Sequence, residues 1–202
     1  MDLETVLKEI VAQRTEFFQS GDAQQRERAL QLASQAHEYA PNDPRTNYEL
    51  GWSYRVLGKF LDALPLFEQA AYLDSRNANY QMEYARIQFV ASRQVDDHMI
   101  QEEWRRGAER ALKEAIKLEP NEGRFYHLLG QLYEEEFRTL WAIDNYEIAQ
   151  RTLASIPETQ LTQMQRFYRD DAPQAIERCR SRLPYIWVPT GDGGVHSCGI
   201  MV

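Results

Sequence analysis

The chain has 202 residues, of which 43% are hydrophobic, 27% charged and 11% aromatic, and a net charge of -8. That composition supports a packed core and excludes intrinsic disorder, while the acidic balance argues against nucleic-acid backbones and anionic membranes as partners. No run approaches the roughly 18 to 20 apolar residues of a membrane span, and Cys179 and Cys198 alone make no disulfide framework.

The first stretch, MDLETVLKEIVAQRTEFF, has its apolar residues spaced for one helix face. It carries Asp2 and Glu4 where a secretory leader would carry positive charge, so the expected location is cytoplasmic. Beyond it an alanine returns on schedule, as Ala36, Ala70, Ala115 and Ala149, at intervals of 34, 45 and 34 residues. Phe67, Leu112 and Tyr146 keep the same register, and Leu50-Gly51 reappears as Leu129-Gly130. A period near 34 predicts stacked antiparallel helix pairs, each unable to bury its apolar face without its neighbours. Four pairs follow, over 3–43, 44–77, 78–122 and 123–156. In the second, Leu57-Gly58-Lys59 joins the helices. The third contains an insertion of about 11 residues near 93–103, which includes Asp96, Asp97 and His98 and reads as a loop or helix extension.

After Pro157 the pattern fades. Residues 159–169 and 173–182 read as two short cap helices, the second opened by Asp171 as a cap with Pro173 in its first turn. Residues 184–202 follow as an extended or flexible tail: Tyr185-Ile186-Trp187-Val188, then a segment rich in glycine that cannot hold a helix. The expected fold is therefore an all-α superhelix over 1–183 with a helical C-terminal cap, followed by the tail.

The pattern of Leu50, Gly51, Tyr54, Ala63, Phe67, Ala70 and Leu73, with Pro41 and Pro120 just past second helices, resembles the tetratricopeptide repeat (TPR). The resemblance covers about residues 3–156 and implies a solenoid whose first helices line a concave, protein-binding face. Carried over, its outward positions are Arg45, Tyr48, Trp52 and Arg55 in the second repeat. The third contributes Asn79, Met82, Arg86 and Phe89, and the fourth Arg124, His127, Gln131 and Glu134, with Arg14 and Phe18 added from the first. Five arginines against one carboxylate suit an acidic peptide or a free C-terminal carboxylate, which guanidinium groups bind bidentately. Trp52, Tyr48 and Phe89 are the apolar anchors of that groove.

The resemblance thus implies a non-catalytic interaction module, an adaptor, chaperone or regulatory subunit, that holds a peptide or helix of another protein and needs no cofactor. A secretion chaperone of the type III kind is one alternative. Another is a substrate or switch protein whose tail, with Trp187, His196 and Cys198, is cleaved, modified or bound by an enzyme. The tail is also a candidate pseudo-ligand for the chain's own groove. His196 and Cys198 lack the third orienting group of a catalytic triad, and two ligands do not close a metal site, so neither catalysis nor metal binding is expected. Gly191-Asp192-Gly193-Gly194 opens no helix and has no Lys-Ser or Lys-Thr after it, which separates it from a phosphate loop.

Overall fold

Ala36, Ala70, Ala115 and Ala149, the alanines of the sequence period, have no exposed surface. Ala63, Ala108 and Ala142, about two turns earlier on their helices, have none either. Methyl groups at these crossings let paired helices approach closely, and larger neighbours fill the gaps. The computed structural model describes residues 2–183, 186–189 and 195–198, with backbone alone for Phe18 and for the last two segments.

The helices group into two compact units, Met1–Glu119 and Pro120–Val202. In the first, α1 (Leu3–Ser20) packs with α2 (Ala23–Tyr39), α3 (Pro44–Val56) with α4 (Phe60–Leu73), and α5 (Ala78–Ser92) with α6 (His98–Leu118). Successive pairs meet where α2 packs on α3 and α4 on α5, and α1 also touches α3. In the second unit α7 (Gly123–Glu135) packs with α8 (Thr139–Ala154), a 3-10 turn spans Glu158–Gln160, and α9 (Gln163–Ser181) packs on α8 and touches α7. The strands β1 (Ile186–Pro189) and β2 (Val195–Cys198) pair antiparallel, with Trp187 opposite Ser197.

The helix starts are written into the sequence. Asp43, Asn77 and Glu122 each stand one residue before the first helix of a repeat. Their side chains accept the backbone N–H of Arg45 at 2.8 Å, of Asn79 at 3.1 Å and of Arg124 at 3.1 Å. Each acceptor satisfies an otherwise orphan donor of the first turn. Gly51 and Gly130 mark the close approaches. A Cβ on Gly51 would lie 3.3 Å from Leu66 and the Phe67 ring, and one on Gly130 would lie 2.8 Å from the Tyr146 ring.

One sequence expectation is narrowed and another is corrected. The insertion forms mostly helix: α6 runs for 21 residues, and Asp97 caps it by accepting the N–H groups of Met99 and Ile100, so His98 is its first residue and only Arg93–Asp97 connects α5 to α6. The two expected cap helices are one. Pro173 sits exposed inside α9 rather than opening a new helix, and a capping box between Thr162 and Gln165 sets the start of α9 instead. Proline costs an interior helix roughly 3 kcal/mol. The opposite face of α9 offsets this by burying Tyr168, Ala172, Ala175, Ile176 and Cys179, at about 1.5 to 3 kcal/mol for each large apolar side chain.

The turn from α7 to α8 has an unusual backbone. Phe137 adopts a φ of 58° at the place where Gly58, with a φ of 72°, links α3 to α4. For a residue with a Cβ, that left-handed conformation costs roughly 1 to 2 kcal/mol.

Candidate peptide-binding surface

Four of the arginines and aromatics expected to line a groove, Arg14, Trp52, Arg55 and Arg86, stand on α1, α3 and α5, where the structure ties them to one another. Arg14 Nη1 lies 2.5 Å from Glu49 Oε2. The Trp52 ring lies between two guanidinium groups, with Arg14 at 4.6 Å and Arg55 at 4.2 Å from its centroid. Arg55 and Arg86 converge on Glu83, their Nε atoms 3.8 and 3.4 Å from its Oε2. Trp52, Met82 and Phe89 are all buried, and the Arg93 guanidinium stacks over Phe89 at 4.5 Å. The expected excess of positive charge is therefore offset by Glu49 and Glu83, and these aromatics pack the helices together.

Sequence reasoning missed those two carboxylates as partners, although the signal was present. Glu49 and Glu83 are separated by one repeat period and stand three residues before Trp52 and Arg86. Position 128 continues the series as leucine, so the ladder of charges stops with the third repeat. Burial pushes the Glu49 carboxyl above its ordinary range, and the neighbouring Arg14 works in the opposite direction.

Beside this ladder the same three helices enclose an open depression of about 510 Å³. Its floor is Leu7, Val11, Tyr48 and Tyr80, with the two tyrosine rings 5.1 Å apart. The rest of the lining is polar: Lys8, Arg45, Glu4, Glu49, Asn77 and Asn79. Arg45 is held in place by Asp43 at 2.7 Å and by Glu4. Burial raises both tyrosine hydroxyls, that of Tyr80 to about 12, so both rings present neutral phenols.

The fourth-repeat positions serve a different purpose. Arg124 pairs with Glu122 at 3.1 Å. His127 is fully buried, 2.8 Å from Asp171, with the rings of Tyr146 and Tyr168 at 5.1 and 4.6 Å. Gln131 is half-buried. Glu134 accepts the Tyr146 hydroxyl at 2.8 Å and meets Arg182 at 3.0 Å. His127 and Glu134 are thus used in docking α9, which stands where a further first helix would stand, and His127 is not on an open surface.

The remaining sequence candidates add nothing to this geometry. The side chains of Trp187, His196 and Cys198 lie outside the described residues, as do Gly191-Asp192-Gly193-Gly194. Cys179 is a buried thiol pushed up to about 11 by its burial, which leaves it protonated and unreactive at neutral pH. Among the described residues no three His, Cys, Asp or Glu side chains gather as a metal site, and no helix is long and apolar enough to cross a membrane.

Antiparallel helix pairs with small residues at each crossing and capped first helices define the tetratricopeptide-repeat fold. Solved structures agree with that class. TTC0263, a thermophilic TPR protein of Thermus thermophilus, matches with a TM-score of 0.67 at 18% identity, over 89% of this chain and 87% of its own. MamA matches with a TM-score of 0.57 at 21% identity, over 89% and 90%. PcrH, solved in complex with the chaperone binding region of PopD, matches with a TM-score of 0.56 at 18% identity, over 67% and 90%. At these identities the likeness shows the fold alone. No family model matches the chain, and no curated protein does.

Proposed function

We propose that the protein is a non-catalytic interaction module that holds a peptide or helix of a partner in the depression formed by α1, α3 and α5. The observation that carries this reading is the depression itself, an apolar floor of Leu7, Val11, Tyr48 and Tyr80 under a rim of opposed charges. Such a site seats an apolar anchor and fixes its orientation through the polar edge. An acidic or C-terminal peptide fits through Lys8 on the rim, since Arg45 is already paired with Asp43 and Glu4, and Arg55 and Arg86 converge on Glu83. PcrH, with a peptide region of PopD on the same fold, is the precedent that favours a chaperone over a plain adaptor. In this reading residues 1–183 act as one repeat domain, and the tail from 184 is a separate element.

Val11 and Lys8 are exposed, so they can be changed without opening the core. The test screens an array of acidic and C-terminal peptides against the native chain and against Val11→Asp and Lys8→Glu. The peptides that bind should lose affinity by about tenfold or more in both variants. Peptides that bind all three proteins equally would place the interface elsewhere.

A further inference from the structure

The Tyr80 side chain is 8% exposed and lines the depression on α1, α3 and α5, yet its hydroxyl makes no hydrogen bond among the described residues. A phenol so deeply buried ordinarily has a partner inside the protein. This hydroxyl is not sealed off from water, so what it bonds arrives through the depression.

Asn77, at the start of α5, presents a second donor. Its Oδ1 accepts the backbone N–H groups of Asn79 at 3.1 Å and of Tyr80 at 3.3 Å, which fixes the amide and turns Nδ2 the other way. That Nδ2 also lacks a partner among the described residues and stays open to water. Lys8 adds an exposed ammonium that forms no ion pair among them. The acceptors of the same lining are engaged: Glu4 by Arg45, Glu49 by Arg14, and Asn77 Oδ1 by its two N–H groups. Asn79, whose amide donates and accepts equally, leaves the balance unchanged. The depression therefore offers donors and calls for acceptors. Its floor adds the rings of Tyr48 and Tyr80, 5.1 Å apart and inclined at 39° to each other.

We propose that the depression takes a proline-rich segment of a partner protein in the polyproline II conformation, with one carboxylate beside it for Lys8. The proposal rests on the reading of this depression as the peptide site. Proline brings a carbonyl and no N–H, so such a segment supplies acceptors without donors of its own to satisfy. In polyproline II those carbonyls have no internal bonds, which leaves them for Asn77 Nδ2 and the Tyr80 hydroxyl, and the pyrrolidine rings pack on the tyrosine faces. A helix fits less well, because its carbonyls are taken by its own ladder except in the last turn. The unpaired Lys8 selects a carboxylate at the flank.

The experiment uses the full chain and three synthetic peptides of about ten residues, about 30 Å long in polyproline II. The first is proline-rich with one flanking glutamate, the second has each proline replaced by alanine, and the third has the glutamate replaced by lysine. The first peptide should bind at least about tenfold more tightly than the second, and more tightly than the third. Tyr80→Phe and Asn77→Asp, which keep the ring and the helix cap, should each weaken that binding by about threefold to tenfold at an unchanged thermal midpoint. Failure of the first peptide to bind, equal affinity for the first two or for the first and third, or unchanged affinity in both variants would overturn the proposal. So would a lowered midpoint in both variants, which would show that the two groups are bonded within the protein. Equal affinity for the first two peptides, with both weakened by Val11→Asp, would overturn the preference for proline and keep the depression as the site. Binding untouched by Val11→Asp would overturn the site and the proposal together.

Discussion

Arg14 and Glu49, separated by 35 residues of sequence, meet at 2.5 Å and tie α1 to α3. Their side chains are 21% and 10% exposed, so neither is fully hydrated. Removing one partner from such a pair leaves a charge stranded, and fully buried cases cost about 3 to 5 kcal/mol. Arg14→Ala should cost about 2 kcal/mol, since Arg14 keeps some contact with water. The paired replacement of Arg14 by Met and Glu49 by Leu should recover most of that loss. Chemical denaturation of the native chain and of the two variants measures it.

The same carboxylate gives a pH signature whose sign follows from burial. Burial is the main cause acting on Glu49 and raises its carboxyl above the ordinary 4.5, against the pull of Arg14. A carboxyl raised on folding binds more protons in the native state than in the unfolded one between the two values. Its contribution to stability is therefore present below the unfolded value and is lost as pH rises through the folded one. The stability of the native chain relative to Glu49→Gln should fall as pH rises above about 4.5 and level off once Glu49 is ionised in the native state. A difference that grows with pH instead would show that Arg14 outweighs burial.

Trp52 stands between Arg14 and Arg55 and is only 9% exposed. Trp52→Ala should therefore act first on folding, at about 3 to 5 kcal/mol, with a fall in helicity on warming. A variant with native thermal stability and impaired peptide binding would return Trp52 to the groove as a contact residue.

The sequence made the fold legible because its signals are local or periodic. The alanine interval predicts the buried crossings, and Asp43, Asn77 and Glu122 announce the helix starts by the chemistry of their side chains. The site was less legible. An inventory of outward positions counts arginines but leaves out what reaches them from the next turn or from a neighbouring helix, and here Glu83 and Glu49 reach them. His127 occupies an outward-facing repeat position, and position alone does not reveal that α9 returns to cover it with Tyr168 and Asp171. Proline at 173 signalled a break, but a well-buried opposite face carried the helix through it.

The glycines at the crossings should differ in how well they tolerate a methyl group. A Cβ on Gly130 would lie 2.8 Å from the ring of Tyr146, which is fully buried and held by Glu134. On Gly51 the nearest atoms lie at 3.3 Å. On Gly107 the group displaced is the amide end of Gln88, at 2.5 Å, which belongs to a flexible side chain. Gly130→Ala should cost about 1 to 3 kcal/mol as an overpacked core, and Gly51→Ala less. Gly107→Ala should fall below Gly130→Ala despite its shorter contact, as thermal midpoints of the three variants would show.

α9 should be the first element of its unit to open. It is held by one packed face and by a few polar ties, among them His127 to Asp171 at 2.8 Å and Arg180 to Glu147 at 2.9 Å. The Asp171 tie carries more weight than the Arg180 tie, because His127 is fully buried while the Arg180 side chain is 50% exposed and surrounded by water. Asp171→Ala leaves a buried ring nitrogen without its acceptor and should cost about 1 to 3 kcal/mol. Arg180→Ala should cost less than about 1 kcal/mol, as exposed pairs do. Hydrogen exchange along Gln163–Ser181 separates the two: Asp171→Ala should speed exchange over α9 while leaving α1 to α6 unchanged, and Arg180→Ala should leave both near native rates. Equal acceleration in the two variants would mean that the apolar face alone holds the helix.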